Sequence, residues 1–204
     1  LPSTSYYHST VLNGNRIYVL GGTQYPPVNS KDTVLSATVN TDGSISGWTT
    51  LSQLPKRLSK GKAIIINNRI YFVGGATWTN GSGPVISDSV YFASINPDGT
   101  ISNWTATTSL PTPLSGHGLI EASGKIITLG GSTNPGETPI NKTYSAPVNA
   151  DGTLGNWTVG PNLPVGLRDG GAVKIGAYTV YVGGYSGQFS NKVYYSAIDN
   201  NGNL

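Results

Sequence analysis

The two histidines of this chain have the clearest potential for chemistry. His8 and His117 each lie seven residues after the leucine of a Leu-Pro pair, and glycine holds that position after two further pairs. Imidazole is a common metal ligand, and Tyr7 and Asp169, one position earlier in the same pattern, could assist. A usual metal site needs three or four ligands. We therefore expect each histidine to hydrogen-bond a neighbouring loop, with no metal and no cofactor.

Charged residues lie beside the same position. Lys60 and the Arg168-Asp169 pair immediately precede the two glycines of the pattern. In a partly desolvated site, a lysine or arginine could bind an anion or a carboxylate. Salt links within the protein, or solvated loop charges, explain the same residues, and we favour this interpretation. If a ligand binds here, Tyr7, His8, Lys60, His117, Arg168 and Asp169 are the predicted contacts.

Aromatic residues mark a second group of candidates. Tyr25, Trp78 and Tyr185 lie in polar loops that each follow a Gly-Gly doublet. Exposed rings among Asn, Gln and Ser side chains are typical of a carbohydrate-binding surface, where rings stack on sugar faces. Local packing of the loops is the alternative. We predict ligand contacts from all three residues.

Catalysis would require a convergent set of acidic, basic or nucleophilic groups. The chain has nine carboxylates and no cysteine, and Asp42, Asp98 and Asp151 lie in turns. No Ser-His-Asp order with a supporting motif is present. We therefore predict no catalytic residue and a protein that is not an enzyme. A lyase, epimerase or glycosidase acting on sugars through Arg168, Asp169 and the histidines stays open as an alternative.

An internal repeat must position these residues. Gly-Gly doublets begin at positions 21, 74, 130 and 183, and Leu-Pro pairs at 1, 54, 110 and 163, so both markers recur with spacings of 53, 56 and 53. Three Asp-Gly turns are each followed, five residues after the glycine, by Trp48, Trp104 and Trp157. Three markers in register at one period indicate four repeats of one structural unit.

Each repeat predicts four short antiparallel strands. In the third repeat these are HGLIEA, KIITL, TYSAPVN and TLGNWTV, joined by Ser-Gly and Asp-Gly turns. No window has sustained helical periodicity. Such sheets bury both faces only by stacking side by side, which predicts an all-β protein built as a β-propeller. The recurring tryptophan is the expected wedge between neighbouring sheets.

The segment LPTPLSGHGLIEASGKIITLGG (110–131), followed by Tyr144 and Trp157, resembles the kelch repeat of the galactose oxidase and kelch superfamily. That signature has a Gly-Gly doublet after the second strand, then a spaced Tyr and Trp. The first repeat offers Val34 at the Tyr position, and the fourth lacks the Trp. The resemblance implies four kelch-type four-stranded blades, over about 1–53, 54–109, 110–162 and 163–204. It implies little about activity, and copper chemistry that uses a Cys-linked Tyr is not carried over.

The fourth repeat lacks most of its outer strand, because its Trp would fall at position 207. The chain is then a segment of a longer array, or a four-blade ring without that strand. In a third arrangement two chains close one eight-bladed ring, giving a homodimer through the open terminal blades. We favour the first, because these terminal repeats are not capped.

Composition bears on location and partners. Charged residues make up 10% of the chain, Ser, Thr and Asn are frequent, and no apolar run is long enough for membrane insertion. We predict a prokaryotic secreted or cell-surface protein, hence an extracellular location. The net charge of +3 comes from scattered residues, which argues against a nucleic-acid partner.

Together these observations predict a non-catalytic binding, display or scaffold module. Its ligand, a glycan or another protein, would contact the loops after the Gly-Gly doublets and the mouth of the central channel. A structural spacer in a surface array is the other non-enzymatic alternative.

Overall fold

A computed structural model describes residues 1–26 and 28–204, and regular structure in this part of the chain is β-strand only. None of these residues forms a helix with the length and hydropathy of a membrane span. The strands form four antiparallel sheets in succession, which are the blades of a β-propeller. The all-β propeller expected from the repeats is confirmed.

The first two blades each contain four main strands and a small loop hairpin. In blade 1 the strands are β1 (Ser9–Asn13), β2 (Arg16–Leu20), β3 (Thr23–Gln24), β4 (Asn29–Ser30), β5 (Val34–Thr38) and β6 (Thr49–Thr50). In blade 2 they are β7 (Lys62–Ile66), β8 (Arg69–Val73), β9 (Ala76–Thr77), β10 (Val85–Ile86), β11 (Val90–Ser94) and β12 (Thr105–Thr107). The hairpins β3–β4 and β9–β10 lie in segments for which the sequence predicted only loops.

Blades 3 and 4 have no such two-stranded sheet in the described residues. Blade 3 contains β13 (Gly118–Ala122), β14 (Lys125–Leu129), β15 (Thr143–Pro147) and β16 (Thr158–Val159). Blade 4 contains β17 (Gly171–Ile175), β18 (Tyr178–Val182) and β19 (Val193–Ala197). Each sheet follows chain order from the channel outwards, and its strands are antiparallel.

Strand register corrects one detail of the repeat alignment. Tyr91, Tyr144 and Tyr194 lie opposite Phe72, Thr128 and Tyr181 of the preceding strands. In blade 1 the residue opposite the equivalent position, Val19, is Leu35. The Tyr position of the first repeat is therefore occupied by Leu35, and the assignment of Val34 was wrong by one residue. Leu35 follows Gly21 at the same spacing at which Tyr144 follows Gly130.

The core lies between the blades rather than within them. Three apolar clusters fill the three interfaces. In the first, for example, Tyr18 and Leu20 of blade 1 pack with Leu58, Ile70 and Phe72 of blade 2. Buried apolar area of this kind is the main favourable term in folding. The blades therefore hold one another in place along the series from blade 1 to blade 4.

Hydrogen bonds from tryptophan and tyrosine side chains connect adjacent blades, at the outer strands and at the Asp-Gly turns. Trp104 packs against the apolar cluster between blades 1 and 2, as predicted for a wedge, and donates its indole N–H to the Ser52 carbonyl at 3.0 Å. The buried hydroxyl of Tyr18 donates to the carbonyl of Gly99 at 3.0 Å, and that of Tyr71 donates to Gly152 at 2.8 Å. These bonds join blade 1 to the turn of blade 2, and blade 2 to the turn of blade 3.

Candidate functional site

One face of the propeller collects the candidate residues. The segment that enters each first strand pairs with the residue just after each Gly-Gly doublet, through the bridges Tyr6–Thr23, Ser59–Ala76, Ser115–Ser132 and Arg168–Tyr185. Both kinds of segment therefore lie at one end of the blades, as the sequence predicted. We call this end the rim face; it comprises residues 6–8, 59–61, 115–117 and 168–170 and the loops that begin at residues 23, 76, 132 and 185.

A repeated left-handed residue shapes the rim face. Tyr7, Lys60, Gly116 and Asp169 occupy equivalent positions and have φ of 58°, 54°, 63° and 57°. Non-glycine residues rarely adopt this conformation. Backbone bonds connect the four in series, since Lys60 N donates to Tyr7 O at 2.9 Å, Gly116 N to Lys60 O at 2.8 Å, and Asp169 N to Gly116 O at 2.7 Å. Successive blades are thus linked around the channel mouth.

Lys60 and Asp169, two of these four left-handed residues, belong to an ionic cluster. The Lys60 ammonium is buried and contacts the Glu137 carboxylate and, at 3.5 Å, the Asp169 carboxylate. Arg168 pairs with Asp169 and, at 3.3 Å, with Glu137. Two cations and two carboxylates cancel, so the cluster offers little net charge to an anionic ligand and instead joins blades 2, 3 and 4. A buried charge is costly unless it is paired in this way.

Aromatic rings flank the ionic cluster. Lys60 lies over the ring of Tyr7 at 4.6 Å, and Arg168 lies over the ring of Tyr185 at 4.5 Å. These are cation–π contacts, which stabilise both the charge and the orientation of the ring. Phe189 meets Tyr185 edge-on at 5.7 Å and is 94% exposed. The rim face therefore presents an apolar ring beside a rigid, internally paired charge group.

The histidines occupy equivalent positions in different environments. His117 is fully buried, and neither ring nitrogen has a hydrogen-bond partner among the described residues. Burial, reinforced by the charge of Lys62, lowers the pKa of His117 to about 3. Burial also lowers the pKa of the half-buried His8. The prediction that His117 hydrogen-bonds a neighbouring loop is wrong, since the side chain is enclosed close to Gly74 and Gly131 and neither ring nitrogen meets a partner.

Metal ligands do not converge on this face. In residues 1–26 and 28–204, no group of three or more His, Cys, Asp or Glu side chains is arranged to hold a metal ion. The two carboxylates that do meet, Glu137 and Asp169, are neutralised by Lys60 and Arg168. Their arrangement is that of a structural ion network.

The two remaining aromatic candidates differ in exposure. Tyr25 is exposed in the loop of blade 1. Trp78 is half-buried, and its backbone exchanges two hydrogen bonds of 2.9 Å with Ser30 of blade 1, one of them with the Ser30 hydroxyl. Its indole nitrogen is inaccessible and has no acceptor among the described residues. Trp78 therefore joins two loops, whereas Tyr25 is available to a partner.

The structure adds residues that sequence reasoning did not select. Glu137 completes the ionic cluster although it lies 77 residues from Lys60. Its signal in the sequence is that it is the one carboxylate in the loop after the third doublet. Phe189, which lies in the loop after the fourth doublet, is a second such residue.

Comparison with known proteins agrees with this architecture. No family profile matches the chain. Kelch-like protein 40a of Danio rerio is 28% identical over 61% of this chain and 19% of its own length. Spermatocyte protein spe-26 of Caenorhabditis elegans is 31% identical over 61% and 20%, and Beta-scruin of Limulus polyphemus is 25% identical over 78% and 17%. The chain thus spans about a fifth of each of these relatives.

A solved structure extends the comparison to the fold. The protein described as "Structure of YjhT" superposes with a TM-score of 0.70 at 15% identity, over 94% of this chain and 66% of that one. The four successive antiparallel sheets and the rim face define the class of protein, a β-propeller. The Gly-Gly doublets, the spaced tyrosines and tryptophans and the similarity to kelch-like proteins support a propeller of kelch repeats. A propeller of this type suggests a binding or scaffold module.

Proposed function

We propose that the chain is a non-catalytic binding module that recognises a protein partner through the rim face. The observation that carries this proposal is the exposure of Phe189 and Tyr25 on the face that also holds the rigid Lys60–Glu137–Arg168–Asp169 cluster. Aromatic residues are enriched in protein interfaces and supply many of their energetic hot spots. A rigid surround lowers the entropic cost of binding them.

A protein partner fits this face better than a glycan. Sugars stack on open ring faces, but Tyr7 and Tyr185 each have one face covered by a cation of the same chain. Trp78, the strongest sugar-stacking candidate by residue type, is held between two loops. Phe189 has no polar group with which to orient a sugar. Glycan recognition remains a second candidate, supported by exposed Tyr25.

The absence of catalysis is part of the proposal. His117 has its nitrogens buried and its pKa well below neutral, so it is not placed to exchange protons with a substrate near pH 7. Arg168 and Asp169 pair with each other. These features weigh against the sugar-cleaving or epimerising alternative built on the same residues.

Site-specific photocrosslinking tests the proposal. A photoreactive phenylalanine analogue at position 189 should crosslink a defined protein in extracts of the cells that produce this chain. The control carries the analogue at Ile45, an exposed apolar residue after the lower turn of blade 1, at the opposite end of the blades. Equal crosslinking from both positions would contradict the proposal. A glycan array probed with the same protein tests the second candidate.

We propose an extracellular or cell-surface location, supported by the low charge content and the abundance of Ser, Thr, Asn and Tyr. Protease treatment of intact producing cells should degrade the protein if it is displayed outside. Protection from protease until the cells are lysed would argue for an internal location instead.

We also propose self-association through the open terminal blades. Val34, Val90 and Thr143 are buried at equivalent positions of blades 1 to 3, whereas Val193 of blade 4 is 58% exposed. An exposed apolar sheet face of this kind favours association. Light scattering should then give about twice the chain mass of 21.3 kDa. A mass of one chain at high concentration would exclude this arrangement.

A further inference from the structure

A polar cavity lies between blades 1 and 2, at the end of the blades opposite the rim face. Its volume is about 300 Å³, at the lower end of the range of about 300–1,000 Å³ for small-molecule sites. Both blades that form it have all four of their main strands. Its lining comes from the β1–β2 turn, the β7–β8 turn and the Asp-Gly turn of blade 2, and it includes Asn13, Arg16, Asn68, Asn96, Pro97 and Asp98.

The repeat itself does not require this polar lining. At the next interface, between blades 2 and 3, Ile66 stands at the position of Asn13, and Gly124 stands at the position of Asn68. That interface packs well without the two asparagines, and Ile66 belongs to its apolar cluster. The amides between blades 1 and 2 therefore need an explanation other than the folding of a blade.

Hydrogen bonds hold the amides of the cavity in place. Asn68 Nδ2 donates to the Ile95 carbonyl at 2.7 Å, and Asn68 Oδ1 accepts from Asn13 Nδ2 at 3.3 Å. Asn96 Nδ2 donates to the Thr100 hydroxyl at 2.9 Å. A primary amide has two N–H donors and two acceptor lone pairs, so each of the three amides keeps further capacity for a ligand. Groups already fixed in this way lose little entropy on binding.

Arg16 supplies the cation of the cavity. Its side chain lies directly over Gly99, where an added Cβ would lie 2.1 Å from Arg16 Nε. Its Nη1 contact with the Ser36 hydroxyl is long, at 3.4 Å, and within the described residues it forms no salt bridge. Hydrogen bonds from Thr100 lower the pKa of Asp98, and the nearby charge of Arg16 lowers it further. One cation and one carboxylate leave the cavity close to neutral, with guanidinium N–H groups available.

We propose that this cavity binds a neutral hexose unit of a glycan. Arg16 and the asparagine amides hydrogen-bond the sugar hydroxyls, which are both donors and acceptors, as the lining is. Exposed Pro97 packs against an apolar face of the sugar ring. An anionic ligand fits less well, because Asp98 lies beside Arg16 and repels it. This site is separate from the rim face and does not depend on the protein partner proposed there.

Nuclear magnetic resonance titration tests the proposal. The ¹⁵N-labelled 204-residue chain is titrated with cellotriose, maltotriose and mannotriose, each up to about 20 mM. At least one of these neutral trisaccharides should shift the side-chain amide signals of Asn13 and Asn68, with a Kd below about 10 mM. Trigalacturonate has a similar size but carries carboxylates, and it should bind at least about tenfold more weakly.

Variants of the protein locate the sugar. Arg16→Met keeps an unbranched side chain over Gly99 and should weaken binding at least about tenfold. Asn13→Ile introduces the residue that the next repeat has as Ile66, so it should fold and weaken binding at least about threefold. Arg69→Met, at the equivalent position of the next interface, is the matched control and should bind within about twofold of the parent. The proposal is overturned if none of the three neutral trisaccharides shifts the two amide signals, if trigalacturonate binds more tightly, or if Arg69→Met weakens binding as much as Arg16→Met.

Discussion

Replacing His117 with leucine should remove most of the acid sensitivity that this residue confers on folding. The folded-state pKa is about 3, against an ordinary value of 6.5. The unfolded chain therefore binds one more proton than the folded chain between these two values. The contribution of His117 to the free energy of unfolding is fully present above about pH 6.5. Below that pH it falls by about 1.4 kcal/mol per pH unit. The loss is about 3 kcal/mol at pH 4.5 and at most about 5 kcal/mol at pH 3.

Urea unfolding between pH 7.5 and 4.5 measures this effect. The parent should lose about 3 kcal/mol more than His117→Leu over this range, because every other titrating group is common to both proteins. His8→Leu is the matched control. His8 is only half-buried, so its removal should change the pH dependence less. The reasoning is refuted if the parent and His117→Leu have parallel pH profiles, since His117 would then titrate alike in both states.

Two further substitutions test the contacts between blades. Tyr71→Phe should lower the free energy of unfolding by about 1–2 kcal/mol, because the buried Gly152 carbonyl loses its donor; an unchanged urea midpoint would mean that water replaces the hydroxyl. Gly116→Ala should cost about 2–4 kcal/mol, because φ is +63° and the new Cβ would lie 2.6 Å from Asp169 Oδ1. Gly43→Ala is the control, because φ is +81° there but the space around it is open; it should lower the free energy of unfolding by about 1–2 kcal/mol. Equal losses of unfolding free energy in the two variants would contradict the close contact at Gly116.

The fold was readable from the sequence because its markers carry backbone and packing requirements. Each Gly-Gly doublet has positive φ at both residues, and a Cβ on Gly21 would lie 2.2 Å from the Leu58 carbonyl oxygen of the segment leading into the next blade. Only glycine fits there, so the doublet recurs wherever blades meet. Trp104 and Trp157 recur because each fills the same gap between outer strands.

The candidate site was only partly predictable. Equivalent positions in the repeat brought Tyr7, Lys60 and Asp169 to one face, and the structure places them there. The ion pairs of Lys60 and Arg168 with Glu137 depend on the path of the loop after the third doublet, which the repeat pattern does not specify. The unpaired state of His117 depends on the side chains and glycines that surround it, contributed by two adjacent blades. Loops and residue environments are set by tertiary packing rather than by local sequence.

The affinity of a crosslinked, purified protein partner for rim-face variants is the measurement that most directly tests the proposed function. The double variant Phe189→Ser and Tyr25→Ser should weaken binding at least about tenfold, because each exposed ring is a predicted interface anchor. Ile45→Ser, at the opposite end of the blades, should leave the affinity unchanged. Unchanged binding by the double variant, or an equal loss with Ile45→Ser, would contradict a protein-binding role for the rim face.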